Sequence, residues 1–255
     1  MFVSERLDKI INLINEQGKV EVNKLSKHFK VSKDLIRKDL SKLEEQGLLE
    51  RTYGGAVKKR QLAKTITIAS RISENIHVKE TIAKKALKEI KENELIYLDI
   101  SSINYLFAQE IIKNNIEVTI ITNMIDIMHL FSLNSQIKTK LIGIGGTCNN
   151  IIDGFVGIES IQQIKKFNID RCFIGAIGVN VLNGNISTFD QEDGLTKAAI
   201  IQSSRRRYLI TEKSKIEQDG RYIFSNLQDF QFLLTNNDLE ASLKKELKLF
   251  NIRII

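Results

Sequence analysis

The sequence has no proline, no tryptophan and only two cysteines. Two cysteines cannot build a disulfide framework, and Cys148 and Cys172 are too far apart for a Cys-x-x-Cys metal or redox pair. We therefore predict that both are small buried hydrophobic residues and that the chain has no metal site. No apolar run is long enough for a membrane helix, and the first ten residues carry charges where a secretion signal would be apolar. We expect a cytoplasmic protein with no membrane partner.

What the chain does contain is typical of a folded protein. Its 255 residues are 42% hydrophobic and 27% charged, which is enough apolar material for a sizeable core and for one or two domains. The net charge of +7 is unevenly distributed along the chain. Residues 1–60 hold 14 Lys and Arg against 9 Asp and Glu, whereas residues 61–255 hold 24 against 22. The basic N-terminal segment indicates a polyanionic partner, although a solvated lysine-rich surface would have the same composition.

The N-terminal segment has the pattern of three helices. Apolar residues recur at helical spacing from Ser4 to Glu16, and a short second helix runs from Val22 to about Lys30. Ser32 is a good N-cap for a third helix that ends near Gly47. Residues 48–52 then read as a strand, followed by two glycines that allow a tight hairpin.

This order predicts a helix-turn-helix with a β-wing, in which the third helix enters the DNA major groove. Arg37 and Lys38 would donate to guanine or phosphate, and Leu35 would touch a thymine methyl group. The candidate DNA-contacting residues are Ser32, Lys33, Asp34, Leu35, Arg37, Lys38 and Lys42 on the third helix and Arg51 and Tyr53 on the wing. A three-helix bundle used for protein contacts remains the alternative.

After residues 58–75, which read as a polar linker or a short connecting helix, apolar strands alternate with amphipathic helices. The predicted strands are Leu95–Ile100, Val118–Asn123, Lys140–Ile144, Arg171–Ile174, Arg207–Ile210 and Phe232–Thr235. The predicted helices are Val78–Lys91, Ser102–Lys113, Met124–Leu133, Gly157–Lys166 and Gly194–Ser203. This alternation predicts an α/β, Rossmann-like parallel sheet with helices on both faces and a ligand site at the carboxyl ends of its strands.

Polar and glycine-rich residues follow several of these strands. Asp99, Ser101 and Ser102 come after the first, Asn123 ends the second, and Gly145 and Gly146 follow the third. Hydroxyls beside a helix N-terminus are suited to holding a phosphate. The alternatives are that Asp99 caps the helix and that the two glycines form a tight turn. The glycine loop lacks the third glycine of a dinucleotide fingerprint, so we predict no NAD and no other cofactor.

The N-terminal residues resemble the winged helix-turn-helix of the DeoR family of bacterial transcriptional regulators. The matching runs are Val20-Glu21-Val22, Phe29-Lys30-Val31-Ser32, Ile36-Arg37-Lys38-Asp39-Leu40, Gly47-Leu48-Leu49 and Arg51-Thr52-Tyr53-Gly54-Gly55-Ala56. One difference lies on the third helix, where Leu35 stands in place of the threonine that usually precedes Ile-Arg. The resemblance implies a DNA-binding domain over residues 1–57 and double-stranded operator DNA as its partner.

The C-terminal part, from about Lys79 to Asn237, is similar to the effector-sensing domain of the same family, whose fold is related to ribose-5-phosphate isomerase. The resemblance implies that residues 76–255 form an effector-sensing and oligomerisation domain. The matching positions include Asp99, Ile121-Thr122-Asn123, Gly145-Gly146, Phe173-Ile174-Gly175-Ala176, Lys197 and Ser214-Lys215. The resemblance implies a phosphorylated sugar effector that controls operator binding. It further implies that Ser101 and Ser102 hold the phosphate and that Asp99 and Asn123 contact sugar hydroxyls. Glu192, Asp193 and Lys197 would close over the ligand, and Lys215 would add a second cation. Gly145 and Gly146 would lie beside the ligand.

Two differences from the pattern bear on function. Ile100-Ser101-Ser102 replaces a Ser-Gly-Thr-Thr type of turn, which removes a glycine and two threonine hydroxyls. The isomerases carry an acidic residue in the loop where Gly175-Ala176-Ile177-Gly178 stands, so this loop offers no base for proton transfer. We therefore predict a sugar-metabolism regulator that acts as a repressor in dimeric or tetrameric form, and no enzyme. The alternatives are a sugar-phosphate isomerase-like enzyme and a DNA-binding protein whose C-terminal domain only oligomerises.

Overall fold

The computed structural model describes residues 2–63, 67–134, 136–236 and 239–255. It divides the chain into two compact units, Met1–Gln61 and Leu62–Ile255. The boundary therefore follows residue 57, where the sequence suggested that the first domain ends. The described part of the expected linker, which excludes residues 64–66, contains a strand and a helix, so it is more ordered than the polar sequence indicated.

The N-terminal unit has three helices and a small antiparallel sheet with the strand order β1-β3-β2. Its elements are α1 (Val3–Gln17), β1 (Lys19–Glu21), α2 (Val22–Phe29), α3 (Lys33–Glu45), β2 (Leu49–Thr52) and β3 (Gly55–Lys58). The predicted three helices and wing are confirmed. Strand β1 pairs with β3 and was not expected, since three residues are too few to show an alternating pattern.

The turn between α2 and α3 is fixed by local hydrogen bonds. Lys30 takes a left-handed conformation with φ of 54° and ends α2, and the Ser26 hydroxyl donates to the Val31 carbonyl at 2.6 Å. The Ser32 hydroxyl then accepts from the Leu35 N–H at 3.2 Å, which confirms Ser32 as the N-cap of α3. These contacts fix the direction in which α3 leaves the turn.

The core of this unit is apolar, with one buried ion pair beside it. Ile10, Ile36 and Leu40 are among the side chains that α1 and α3 bury. Arg6 on α1 donates to both carboxylate oxygens of Asp39 on α3, at 2.5 and 3.1 Å, and both residues are buried. This fork-like contact fixes α3 against α1.

The C-terminal unit is built on a seven-stranded sheet in which every paired neighbour is parallel. From one edge to the other the strands are β17 (Arg253–Ile254), β16 (Phe232–Leu234), β13 (Ser204–Ile210), β10 (Ile169–Gly175), β5 (Leu95–Leu98), β6 (Thr119–Thr122) and β7 (Lys140–Gly143). The predicted α/β parallel sheet is confirmed, and β17 is the strand that the sequence did not reveal. The chain order reverses between β5 and β10, which is where open α/β sheets form a ligand crevice.

Helices cover both faces of this sheet. They are α4 (Ile68–Ser73), α5 (Ile76–Leu87), α6 (Ser102–Lys113), α7 (Ile125–Ser132), α8 (Ile158–Ile164), α9 (Gln191–Gln202) and α10 (Ala241–Lys248). Apolar side chains of α4 to α7 share one buried cluster with Phe173, and those of α8 to α10 share another with Ile174. Adjacent residues of β10 therefore face opposite layers, as the pleat of a strand requires.

Short antiparallel ladders surround the central sheet. They are β8 (Thr147–Asn149) with β9 (Gly154–Val156), and β11 (Gly178–Val179) and β15 (Tyr222–Asn226) on either side of β12 (Asn185–Thr188). A further two-stranded sheet pairs β4 (Gln61–Leu62) with β14 (Gln218–Asp219). Cys172 is buried in β10 as predicted, but the prediction for Cys148 is wrong, because β8 leaves its thiol exposed. No helix among the described residues is long and apolar enough to cross a membrane.

Candidate functional site

The surface of α3 carries most of the predicted DNA-contacting residues. Ser32, Lys33 and Asp34 are exposed at its first turn, and Leu35 is half-buried. Arg37, Lys38 and Lys42 lie together along a shallow open groove on the same helix. Long cationic side chains on one side of a helix can reach both base edges and phosphates of a groove.

The wing places its two predicted residues differently. Arg51 lies against α3: its N–H donates to Glu44 Oε1 at 2.9 Å and its guanidinium donates to Ser41 Oγ at 2.7 Å. Tyr53 stands fully exposed at the tip of the hairpin between β2 and β3. Ser41 and Glu44 were not predicted, because their role is visible only once the wing folds back onto the helix.

The cations on this surface differ in how they are paired. Arg37 Nη1 contacts Asp34 Oδ1 at 2.7 Å, and Arg51 has Glu44 within 4.0 Å. Within the described ranges, no hydrogen bond or ion pair engages the side chains of Lys33, Lys38 or Lys42. Exposed pairs are weak, so the arginines can exchange their partners for phosphates, while the lysines are available at once.

In the C-terminal unit, Asp99 lies at the chain reversal between β5 and β10 and is buried. Its two carboxylate oxygens accept from the Gly175 N–H at 3.0 and 3.1 Å, and one accepts from Asn104 Nδ2 at 2.6 Å. The other accepts from Lys197 Nζ. Burial raises the pKa of Asp99 from its ordinary value, against the opposing effect of Lys197. The carboxylate thus joins the two central strands to α9.

Lys197 is the second member of this buried cluster. Besides Asp99, it has Asp193 Oδ1 at 3.7 Å, and Asp193 in turn accepts from the Thr188 hydroxyl. Burial lowers the pKa of Lys197, but Asp193 and Asp99 together raise it above its ordinary value. In this arrangement, Asp99 and Lys197 satisfy one another, and their direct contact with a sugar remains a prediction.

Two small adjoining recesses, with cavity volumes of about 20 and 40 Å³, open at this end of the sheet. Ser101, which caps α6 by accepting from the Asn104 N–H at 3.1 Å, lines both, as do Gly175 and Ala176. The predicted residues that line at least one recess are Ser101, Ser102, Asp193, Lys197 and Lys215. Hydroxyls and cations around one concave space can bind a phosphate or a carboxylate.

The other predicted ligand residues lie outside the lining of these recesses. Asn123 Nδ2 donates to the Phe155 carbonyl at 2.8 Å, and its Oδ1 is buried with no partner. Gly145 and Gly146 follow edge strand β7, where the Ser160 hydroxyl donates to the Gly145 carbonyl at 2.8 Å. Glu192 is exposed on α9. The structure therefore does not bring all the predicted ligand residues into one cavity.

This region includes four residues that the sequence did not indicate: Arg71, Phe189, Lys79 and Glu212. Arg71 on α4 lines both recesses, and its guanidinium carbon lies 5.1 Å from the centroid of the Phe189 ring. Its Nε and Nη2 atoms are buried without a hydrogen-bond partner, and burial lowers its pKa. Lys79 on α5 lines the larger recess and pairs with Glu212 Oε1 at 3.6 Å. No signal singled out Arg71, because it is one of two arginines in the stretch of residues 58–75 that read as a linker.

Comparisons with known proteins agree with both halves of this description. A family model described as the DeoR C terminal sensor domain matches residues 74–237, and one described as a DeoR-like helix-turn-helix domain matches residues 6–61. The lactose phosphotransferase system repressor of Staphylococcus epidermidis is 30% identical over 244 residues, which cover 95% of this chain and 96% of that protein. The L-fucose operon activator of Haemophilus influenzae is 30% identical over 240 residues, 94% of each chain.

Among solved structures, ribose 5-phosphate isomerase A of Methanocaldococcus jannaschii is 17% identical with a TM-score of 0.41, over 56% of this chain and 55% of that one. The full-length relatives are named as transcriptional regulators. The family matches and these relatives confirm the resemblance seen in the sequence and the prediction of a regulator in place of an enzyme.

Proposed function

The chain belongs to the DeoR family of transcriptional regulators, and from this premise we propose that it is a sequence-specific repressor of sugar-metabolism genes controlled by a phosphorylated sugar. The relatives named for lactose and L-fucose systems support the link to sugars. The observation that carries the proposal is the recess at the sheet reversal, where the hydroxyls of Ser101 and Ser102 lie beside cationic side chains.

Operator recognition is assigned to α3 and the wing. Arg37, Lys38 and Lys42 present donors along one groove, which suits guanine edges and phosphates. Tyr53 at the exposed hairpin tip and Arg51 beside it would contact the flanking phosphate strand. Because a single recognition helix reads few base pairs, two or four copies of the chain would bind paired half-sites.

Effector control would be a shift between two populations of the protein. A phosphorylated sugar that binds one arrangement of the sensor unit more tightly changes operator affinity only by the ratio of its two affinities. The side chains proposed to hold the phosphate are Ser101, Ser102 and Lys215, and Asp193 and Lys197 would border the sugar. Asp99 would act through Lys197 and the Gly175 N–H, which it fixes in place.

The DNA part is tested by fluorescence anisotropy with operator fragments selected from genomic DNA. The double substitution Arg37→Glu and Lys38→Glu should weaken specific binding roughly 100-fold, since each base or phosphate contact contributes about 1–3 kcal/mol. Lys244→Glu, at an exposed position on α10, is the matched control and should leave affinity nearly unchanged. Equal affinity of the double variant and the wild type would remove α3 as the reading helix.

The effector part is tested by thermal unfolding in the presence of a panel of phosphorylated sugars, followed by operator binding with each stabilising compound. A true effector at 100 times its dissociation constant stabilises the protein by about 2.7 kcal/mol. It should also change operator affinity, whereas the same sugar without phosphate should do neither. If no phosphorylated sugar in the panel stabilises the protein, the proposed effector class fails.

A further inference from the structure

Arg71 is unusual among the cations that line the two recesses because two of its donor atoms are buried and unused. Its Nε and Nη2 atoms are buried, and neither has an acceptor within the part of the chain that the structure describes. Both recesses at the sheet reversal are lined by this residue. A buried charged group without hydrogen bonds is unfavourable, so its retention at a cavity calls for a ligand.

The neighbouring lysines differ from Arg71 in this respect. Lys197 is held by Asp99 and Asp193, and Lys79 Nζ donates to two backbone carbonyls and pairs with Glu212. Both therefore have the acceptors that they need within the protein. Arg71 receives only longer-range attraction from buried carboxylates, which does not replace direct hydrogen bonds.

The guanidinium of Arg71 is placed to bind a ligand that offers two oxygen acceptors. Its guanidinium carbon lies 5.1 Å from the centroid of the Phe189 ring, a cation–π contact that does not occupy the Nε and Nη2 donors. An arginine edge presents two parallel donors that match two oxygens of a phosphate or a carboxylate. The Ser101 hydroxyl lines the same two recesses and can donate to a further oxygen.

The backbone of α4 is fastened to the sheet near the same place. Lys79 Nζ donates to the carbonyl of Arg71 itself and to that of Glu74. Asn75 Nδ2 donates to Glu212 Oε2 at 3.0 Å, and Glu212 follows β13 after one residue. One side of the short helix is therefore fastened by protein groups, while its arginine side chain faces the recess without an acceptor.

We propose that Arg71 binds the phosphate of the effector through its two unused donors, and that this contact makes the order of α4 depend on ligand occupancy. The inference rests on the proposed function and adds to it a binding residue and a route of regulation. The α4 helix begins seven residues after Gln61, the last residue of the DNA-binding unit. Ligand binding would therefore change the order of a helix at the start of the sensor unit, close in sequence to the DNA-binding unit.

The test compares wild type with Arg71→Gln and Arg71→Lys, using titration calorimetry of the full chain with inorganic phosphate and with the phosphorylated sugars. Arg71→Gln should weaken binding of every phosphate-bearing probe at least 10-fold, and Arg71→Lys should keep part of it because the charge remains. Arg206→Gln, an exposed arginine on β13, is the control and should bind as the wild type does. Unchanged phosphate binding in Arg71→Gln would overturn the inference.

A second readout separates a ligand-binding arginine from a merely structural one. Without ligand, Arg71→Gln should melt at the same or a higher temperature than wild type, because it removes a buried charge that lacks hydrogen bonds. A clear drop in melting temperature would count against the proposal. Amide hydrogen exchange in α4 should slow on adding the effector to wild type and stay unchanged in Arg71→Gln.

The outcomes also distinguish this inference from the proposed function. If inorganic phosphate binds through Arg71 but no phosphorylated sugar binds better than phosphate, the anion site stands and the proposed effector class fails. If a phosphorylated sugar binds equally well to wild type and to Arg71→Gln, the effector class stands and the role of Arg71 is overturned. Absence of any phosphate or phosphosugar binding to wild type would overturn both.

Discussion

The two units of this protein place their charges in opposite ways. In the N-terminal unit, Lys33, Lys38 and Lys42 are exposed, and the buried Arg6–Asp39 pair serves to join two helices. In the C-terminal unit, cations such as Lys197 are buried and matched with carboxylates. Exposed charges suit a long polyanion that approaches from outside, whereas buried ones suit a small ligand that can be enclosed. This difference agrees with the roles proposed for the two units, DNA binding for the N-terminal unit and ligand sensing for the C-terminal unit.

The largest effect is expected from breaking the interior cluster. Asp99→Ala leaves Lys197 with only the more distant Asp193 and removes the acceptor of the Gly175 N–H. Removal of one member of a buried ion pair typically costs about 3–5 kcal/mol in unfolding free energy. Urea unfolding followed by circular dichroism should show a loss of this size in the C-terminal unit.

The control for this experiment is Glu192→Gln, which changes an exposed carboxylate on α9, one position before Asp193. Surface substitutions of this kind change stability by about 0.5 kcal/mol or less. Similar free energies of unfolding for Asp99→Ala and Glu192→Gln would show that the buried cluster does not stabilise the C-terminal unit.

A smaller effect is expected in the N-terminal unit. Ser32→Ala removes the hydroxyl that accepts from the Leu35 N–H at the start of α3, and loss of an N-cap costs about 1 kcal/mol. The melting temperature and the operator affinity should both fall slightly, because α3 then frays at the end that we propose contacts DNA. Ser4→Ala, at an exposed position on α1, is the control. A neutral Ser32→Ala would mean that the turn itself fixes the helix start.

The smallest effect is expected from chemical modification of the two thiols, which reports whether each cysteine is exposed or buried. Burial raises the pKa of Cys172 to about 12, so its thiolate is scarce at neutral pH, whereas Cys148 is exposed. A disulfide reagent should therefore modify one thiol per native chain and two after denaturation. Cys148→Ser should abolish the reaction of the native protein. Rapid modification of Cys172 in that variant would show that the sheet interior opens more readily than its packing indicates.

The sequence predicts this fold well wherever a local pattern carries the information. The stripe of Ile36 and Leu40, the N-cap Ser32 and the apolar strands all depend on neighbours a few residues away, and the structure confirms them. Strand β17 and the exposed position of Cys148 were missed because very short strands take their place from pairing partners, not from their own composition.

The candidate site is less accessible to such reasoning. Residues at strand ends, such as Ser101 and Asp99, are indicated by topology, because the carboxyl ends of parallel strands share an edge. Arg71 reaches the same recess from a helix that precedes the first strand of the sheet, and no spacing in the sequence connects it to Ser101. That Lys197 pairs with Asp99 across 98 positions likewise depends on tertiary packing.

Gly175 at the end of β10 and Gly178 at the start of β11 limit which substitutions the C-terminal unit can accept. A Cβ atom at Gly175 would lie 2.6 Å from Ser101 Cβ, and one at Gly178 would lie 2.4 Å from the Gln218 carbonyl oxygen. An acidic side chain introduced at either position would have to displace its surroundings before it could serve as a base. Neither glycine therefore offers a single-substitution path to an acidic side chain at this end of the sheet.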